Sequence, residues 1–257
     1  MTVQARNAEL VQLLSSDFQL RYDPGFSMGI SISTYLSLFV LRGFWPLSSL
    51  NESNNPFDLS GQGRTLTSNS VVYGLNGLAP VAVLNGSTRY LSRASEAGLN
   101  ITGNLTMGLW FNPSALGTAA LEGLIGKHNS TGNQRSYIIY LNASSGLTFQ
   151  VSSDGTAGGA VGVNTAGAMT PGNWYFIAAR FTASTEVALW LNTEKNVNTT
   201  AIIASIFSST AQFEIGRRNV AATFSAGSVA FPFLCASALP DAVIENLYEQ
   251  TRPIFGG

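Results

Sequence analysis

The acidic residues are the first place to look for chemistry. Retaining cleavage of a glycosidic bond needs two carboxylates ~5–5.5 Å apart, which on one strand means acids sharing a face at a spacing of two. None of the 14 Asp and Glu residues is arranged so. The pair Glu245/Glu249 is one helical turn apart and reads as a solvated face. The single histidine, His128, lies in the polar run Gly126-Lys-His-Asn-Ser-Thr-Gly132, and no Gly-x-Ser-x-Gly motif accompanies it. Nucleophilic catalysis therefore finds no support, and the chain reads as a non-enzyme.

Binding chemistry has more candidates. Calcium prefers hard oxygen ligands, and Asp58, the backbone around Gly61 and the distant Asp154 could supply them. The competing reading of Asp58 is a cap on its own tight loop, Phe57-Asp-Leu-Ser-Gly-Gln-Gly63. No other cofactor is expected. Trp45, Trp110, Trp174 and Trp190 could stack on sugar rings, but all four sit in apolar strand-like runs and read as core. The runs 126–134, 153–170 and 193–199 are expected to be outward loops, the second around a short strand at Ala160–Val163. They make Lys127, His128, Asn129, Asp154 and Asn196 the candidate contacts to a ligand or partner.

These residues must be positioned by strands. Pro171-Gly-Asn173 signals a turn, and alternation then places Trp174, Phe176 and Ala178 on one face and Tyr175, Ile177, Ala179 and Phe181 on the other. A second run, Val187–Asn192, follows closely, so the pair predicts an antiparallel hairpin buried on both faces, about which further strands wrap. Strands are also expected at 41–47, 105–111, 123–127, 136–141, 147–152, 201–207, 212–216 and 228–234, with a strand–turn–strand over 81–91 and a helical turn at 94–99. The one firm helix is Leu239–Gln250. Pro240 stands at its start, Asp241 in its first turn, Val243, Ile244, Leu247 and Tyr248 on its apolar face, and Pro253 just beyond. Ahead of the sandwich, residues 3–14 have helical spacing and 26–40 form an extended apolar segment. The expected division is an N-terminal arm over 1–40, able to dock on neighbouring copies, and a domain over 41–257.

Composition narrows the partners. Charged residues make up 11% of the 257, against roughly 25% for a soluble domain. Such scarcity points to an assembly that buries much of its surface. A net charge of −1 leaves no footprint for nucleic acid. The stretch from Phe26 to Trp45 carries Ser27, Ser31, Ser33, Thr34 and Arg42 and alternates as a strand does, so no membrane insertion is expected. The first 16 residues offer no secretory pattern. The lone Cys235 excludes an intrachain disulfide and reads as a core thiol.

Taken together, Asp58-Leu-Ser-Gly61, Leu105-Thr-Met-Gly-Leu-Trp-Phe111, Pro171-Gly-Asn-Trp174-Tyr, Leu189-Trp-Leu-Asn192, Phe213-Glu-Ile-Gly216-Arg and Ala238-Leu-Pro-Asp-Ala-Val-Ile-Glu245 carry a family likeness by order and spacing. Over roughly residues 41–250 the chain resembles the concanavalin A-like lectin/glucanase superfamily, and specifically its laminin-G-like domains. The resemblance implies an all-β, two-sheet antiparallel jelly-roll sandwich with a short C-terminal helix. Two departures, Phe176 where the family often has His and Thr193 where it usually has Gly, argue against a standard ligand site. The arm-plus-jelly-roll layout and the Ser/Thr/Gly/Asn-rich composition are also similar to structural proteins of tailed bacteriophages. That likeness implies a homo-oligomeric virion protein, decorating a capsid or associated with a tail, whose partners are other virion proteins. The alternative is a stand-alone lectin-like module that binds a surface glycan.

Overall fold

The structure is a computed structural model that describes residues 39–77, 79–116, 121–165, 167–218 and 223–256. The expected arm therefore lies outside the described residues, except for Phe39 and Val40. These two are stitched to the domain: the Phe39 carbonyl accepts from Ser237 Oγ, and the Val40 carbonyl from the Ala236 amide.

Two antiparallel sheets make up the sandwich. The first has the order β13-β12-β11-β6-β15-β4-β3, with β1 also pairing to β15. Its strands are β1 (Leu41–Phe44), β3 (Val72–Asn76), β4 (Ala79–Asn85), β6 (Leu105–Pro113), β11 (Tyr175–Thr182), β12 (Glu186–Leu191), β13 (Glu194–Asn198) and β15 (Ala226–Cys235). The second has the order β10-β9-β8-β7-β14-β5-β2. It comprises β2 (Thr67–Asn69), β5 (Tyr90–Arg93), β7 (Glu122–Asn129), β8 (Gln134–Leu141), β9 (Leu147–Ser152), β10 (Ala160–Asn164) and β14 (Phe213–Ile215). The helix α1 (Asp241–Thr251) and a 3₁₀ turn, Arg252–Ile254, follow.

The expected alternation in β11 is what the structure shows. Ile177, Ala179 and Phe181 enter the core between the sheets, together with Leu109, Leu189, Ile125, Ile139, Phe149 and Phe213. Phe176 and Ala178 join a second core on the outer face, with Trp110, Trp190 and Phe233, under the Val243, Ile244 and Leu247 stripe of α1. Gly108 on β6 allows this packing. A Cβ there would come within 2.5 Å of the Ile177 carbonyl oxygen and 2.7 Å of the Phe233 ring.

Some expectations are corrected. The β11–β12 hairpin forms, but it lies toward one edge, and the pair at the middle of the sheet is β6–β15. β15 meets β4 through Ala226–Val229 and β1 through Phe233–Cys235, with a bulge between Ala230 and Phe233. Pro232, which has no amide to donate, sits in that bulge, where its carbonyl accepts from the Trp45 amide. The strand–turn–strand over 81–91 does form, with β4 and β5 joining different sheets. The Asn85 side chain accepts from the amides of Ser87, Thr88 and Arg89, and this asparagine turn redirects the chain. Residues 201–207 are not a strand. Ile206 bonds to Thr102 and Phe207 to Ser152, so the segment spans the open side of the sandwich with single bonds to separate elements instead of one ladder. The α-helix does stop ahead of Pro253, at Thr251, and the chain then tightens through the 3₁₀ turn.

The helix is held by charge as well as by apolar area. Arg180, 7% exposed, donates to the Leu239 carbonyl (2.6 Å), to Asp241 (2.5 Å) and to Glu186. Lys195 adds a bond to Asp241 at 2.8 Å. Burial works against ionisation of Asp241, yet the bonds from Lys195 and Arg180 hold its carboxyl below the ordinary carboxylate range. A depressed folded-state value stabilises the fold above the unfolded value, ~3.9 for Asp, and that contribution is lost as pH falls through the folded value. Asp241→Asn is accordingly expected to lower Tm at neutral pH and to flatten the acid side of a Tm-versus-pH curve. Ile244→Ala should cost about 2–5 kcal/mol by urea denaturation; a loss under 1 kcal/mol would mean that α1 is not part of the cooperative fold.

Candidate functional site

Where the cover of the first sheet runs out, its aromatic side chains are left around a cleft. β6 supplies Trp110, the turn before β11 supplies Asn173 and Trp174, Asn192 follows β12, and Tyr248, Arg252 and Phe255 come from the C-terminal helix and tail. The cavity is ≈ 240 Å³. Phe255 stacks on Trp110 with centroids 4.4 Å apart and tilts against Trp174 at 4.6 Å. Tyr248 stacks on Trp110 from the helix side at 5.8 Å.

Each wall is fixed by bonds behind it. Trp110 Nε1 donates to Thr251 Oγ1 at 2.8 Å, and that hydroxyl donates to the Leu247 carbonyl, so the indole is locked to the last turn of α1. Gly172 donates its amide to the Pro113 carbonyl and accepts from Asn112 Nδ2. Asn192 exchanges bonds with Phe176, amide to carbonyl at 2.8 Å and side-chain oxygen to amide at 2.9 Å. It has φ 55, a left-handed conformation asparagine tolerates better than most residues. Arg252 is exposed and pairs with Glu249 at 2.9 Å. The arrangement is flat apolar walls rimmed by two amides and a guanidinium, with no carboxylate among the lining residues. Such a cleft can stack an apolar ring face and bond to hydroxyls; it carries no acid–base pair for hydrolysis.

Trp45, Trp110 and Trp190 are buried, as the sequence led one to expect, but Trp174 is not core; it is half-buried at the rim. The available signal was its place immediately after the Pro171-Gly172-Asn173 turn, where a strand has only begun. Phe255 had no signal, since no periodicity connects it to β6.

The residues singled out from the sequence are not brought together. The run 126–134 is mostly not a loop, because β7 extends to Asn129 and β8 begins at Gln134. Lys127 is fully buried on the inner side of β7, and its Nζ donates to the Ser209 carbonyl. Burial pushes its ammonium down to about 8. His128 is 5% exposed, and burial, with help from the charges of Arg218 and Arg135, pushes its imidazole down to about 3. Asn129 begins the turn, accepting from the Thr131 amide. Asn196 is half-buried on β13, paired with Leu189, so 193–199 is an edge strand and not a free loop. Within 153–170, β10 occupies Ala160–Asn164 and packs along β9.

Nor do Asp58 and Asp154 share a calcium site. Asp58 accepts from the amides of Phe44, Ser60 and Arg64 and from the Ser60 hydroxyl, and so it caps its own loop. Asp154 closes another, where bonds from the Thr156 amide and hydroxyl hold its carboxyl below the usual range. Among the described residues no three His, Cys, Asp or Glu side chains converge as metal ligands.

Comparison with known proteins agrees with this architecture. The fold is similar to that of the binding domain of Paraclostridial Mosquitocidal Protein 1 (TM-score 0.65, 15% identity, 83% of this chain and 52% of that one). It is also similar to the ligand binding domain of Botulinum neurotoxin serotype D, solved with N-acetylneuraminic acid (0.66, 10%, 84% and 53%). Domain 4 of AbnA, a GH43 extracellular arabinanase from Geobacillus stearothermophilus, solved with arabinotriose, gives 0.61 and 17%, with 82% of this chain and 98% of that one covered. The chain spans about half the length of the two toxin domains and nearly all of the arabinanase domain. At these identities the likeness is one of fold. Among curated protein sequences none matches. By sequence, residues 85–241 match the laminin G family described as Concanavalin A-like lectin/glucanases superfamily. With that pattern over more than half its length, the chain belongs to the concanavalin A-like lectin/glucanase superfamily.

Proposed function

We propose that the domain is a non-catalytic carbohydrate-binding module whose ligand lies in the cleft against Trp174, beside the stacked Trp110–Phe255 pair and within reach of Asn173, Asn192 and Arg252. The observation that carries this reading is the half-buried Trp174 at the mouth of a stacked aromatic wall, with Asn173, Asn192 and Arg252 beside it. A pyranose presents one face rich in C–H and an equator of hydroxyls, which suits such a mixture of rings and amides. The arabinotriose and N-acetylneuraminic acid held by two structures of the same fold support the ligand class. Trp174→Ala should weaken oligosaccharide binding at least roughly tenfold, the loss expected when a stacking ring worth about 1.5 kcal/mol is removed. Titration calorimetry with ligands chosen from a glycan array measures it. Unchanged Tm with unchanged affinity would place the ligand elsewhere.

A second reading concerns where the module works. The 11% charge content favours a protein that buries surface on neighbours. This supports a virion subunit, decorating a capsid or associated with a tail as a homo-oligomer, with residues 1–40 as its anchor and the sandwich free to meet a glycan. On this reading the chain co-sediments stoichiometrically with intact particles in a density gradient. Deleting residues 1–38 releases it while leaving cooperative unfolding of the domain intact. A chain that stays at the top of the gradient, or a truncated domain that no longer folds, overturns the anchor.

A further inference from the structure

The outer face of the seven-stranded sheet carries a cluster of cations that the aromatic cleft does not use. Along β8, Tyr137 and Ile139 point into the core between the sheets. Alternation therefore turns Ile138 and Tyr140 outward, and Ile138, though only 2% exposed, belongs to neither apolar core. His128 pairs with Arg135 across β7–β8, beyond a register shift between Lys127 and His128 that interrupts the alternation, and Arg135 Nη1 also donates to the Gly155 carbonyl at 3.1 Å. The guanidinium carbon of Arg218 stands 5.9 Å from the centroid of the Tyr140 ring.

Three features of this cluster call for a negative partner. The charges of Arg218 and Arg135 both disfavour protonation of His128, and that of Arg135 also disfavours the charge on Arg218, after burial as the leading cause in each case. Two buried polar atoms, His128 Nδ1 and Arg218 Nε, find no hydrogen-bond partner among the described residues. Of the acids on these strands, Glu214 is 2% exposed and already engaged by Arg217, whose guanidinium also lies 3.7 Å from the Tyr90 ring centroid, and Glu122, 4% exposed at the start of β7, is likewise engaged. Like charges gathered on a half-buried face repel one another more strongly than in water, and the Arg218 Nε donor, buried without a partner, is costly. An anion removes both penalties.

We propose that Arg218, Arg135 and His128 form a binding site for an oxyanion, the carboxylate or sulfate group of an acidic ligand. The Arg218 fork offers Nε toward it, Arg135 supplies the second charge from the opposite strand, and Tyr140 floors the guanidinium. The site is on a different sheet from the aromatic cleft, so it stands or falls independently of that assignment.

His128 is the one histidine of the chain, so its imidazole NMR signals need no assignment. The full-length protein is titrated with sodium sulfate and separately with sodium glucuronate, each against sodium chloride at equal ionic strength. At least one of the two is expected to shift the His128 resonances saturably and to raise the pKa of the imidazole from about 3 by ~1 unit or more, as an opposite charge nearby does. Saturation by sulfate alone identifies a sulfate group, and by glucuronate alone a carboxylate. Arg135→Gln and Arg218→Gln should each weaken the response at least roughly tenfold, the scale of losing one charge-assisted bond. Arg218→Lys, which keeps the charge but not the fork, should retain part of it. Trp174→Ala should leave it unchanged. If neither anion moves the resonances beyond the chloride control, or if the Arg135→Gln/Arg218→Gln double variant responds like the parent, the site does not exist.

Discussion

The eight-stranded sheet is apolar on both faces, and the rest of the fold answers to that constraint. Its inner face is buried by the second sheet through Leu109, Ile177 and Leu189. Its outer face, with Trp110, Phe176, Trp190 and Phe233, would otherwise be a large exposed apolar patch, so a cover is obligatory. The C-terminal helix provides it. Arg180 and Lys195 both approach the Trp190 ring at 5.0 Å and both bind Asp241 in the first turn of α1, which sets the helix's position across the strands.

The candidate cleft is a consequence of where that cover stops. An eleven-residue helix reaches from Asp241 to Thr251. Beyond it the chain tightens through Arg252–Ile254 and turns Phe255 back onto Trp110. One rim of the sheet, with Trp174 and Asn192, is thus left half open. Rigid strands and the Trp110–Thr251 bond hold the aromatic walls, so the geometry is set before any ligand arrives.

The second sheet is built on a different economy. Its inner face is apolar except for Lys127, but its outer face carries His128, Glu214, Tyr140 and the flanking Arg135, Arg217 and Arg218 instead of a covering helix. Polar groups there must find partners locally, as Glu214 does with Arg217 and Ser152 with Asp154 and Thr156. Among the described residues, Arg218 Nε and His128 Nδ1 are buried there without such a partner.

Much of the architecture was legible in the residues, because burial on two faces leaves a period-two record. The alternation Ile177, Ala179, Phe181 against Phe176, Ala178 is a local property, and so is the Val243, Ile244, Leu247 stripe of α1. What tertiary structure decided is which elements face one another across long separations. His128 sits among Asn, Ser, Thr and Gly and reads as loop, yet β7 runs on past the expected strand 123–127, and pairing with β8 and β14 buries it together with Lys127. Residues 201–207 have strand-like composition but form single bonds to separate elements and no ladder. Trp174 and Phe255 are 81 positions apart in the chain (255 − 174) and touch only because α1 ends above β6. Local sequence determines which side of a strand is apolar; the meeting of distant side chains depends on how elements dock, and no periodicity records that.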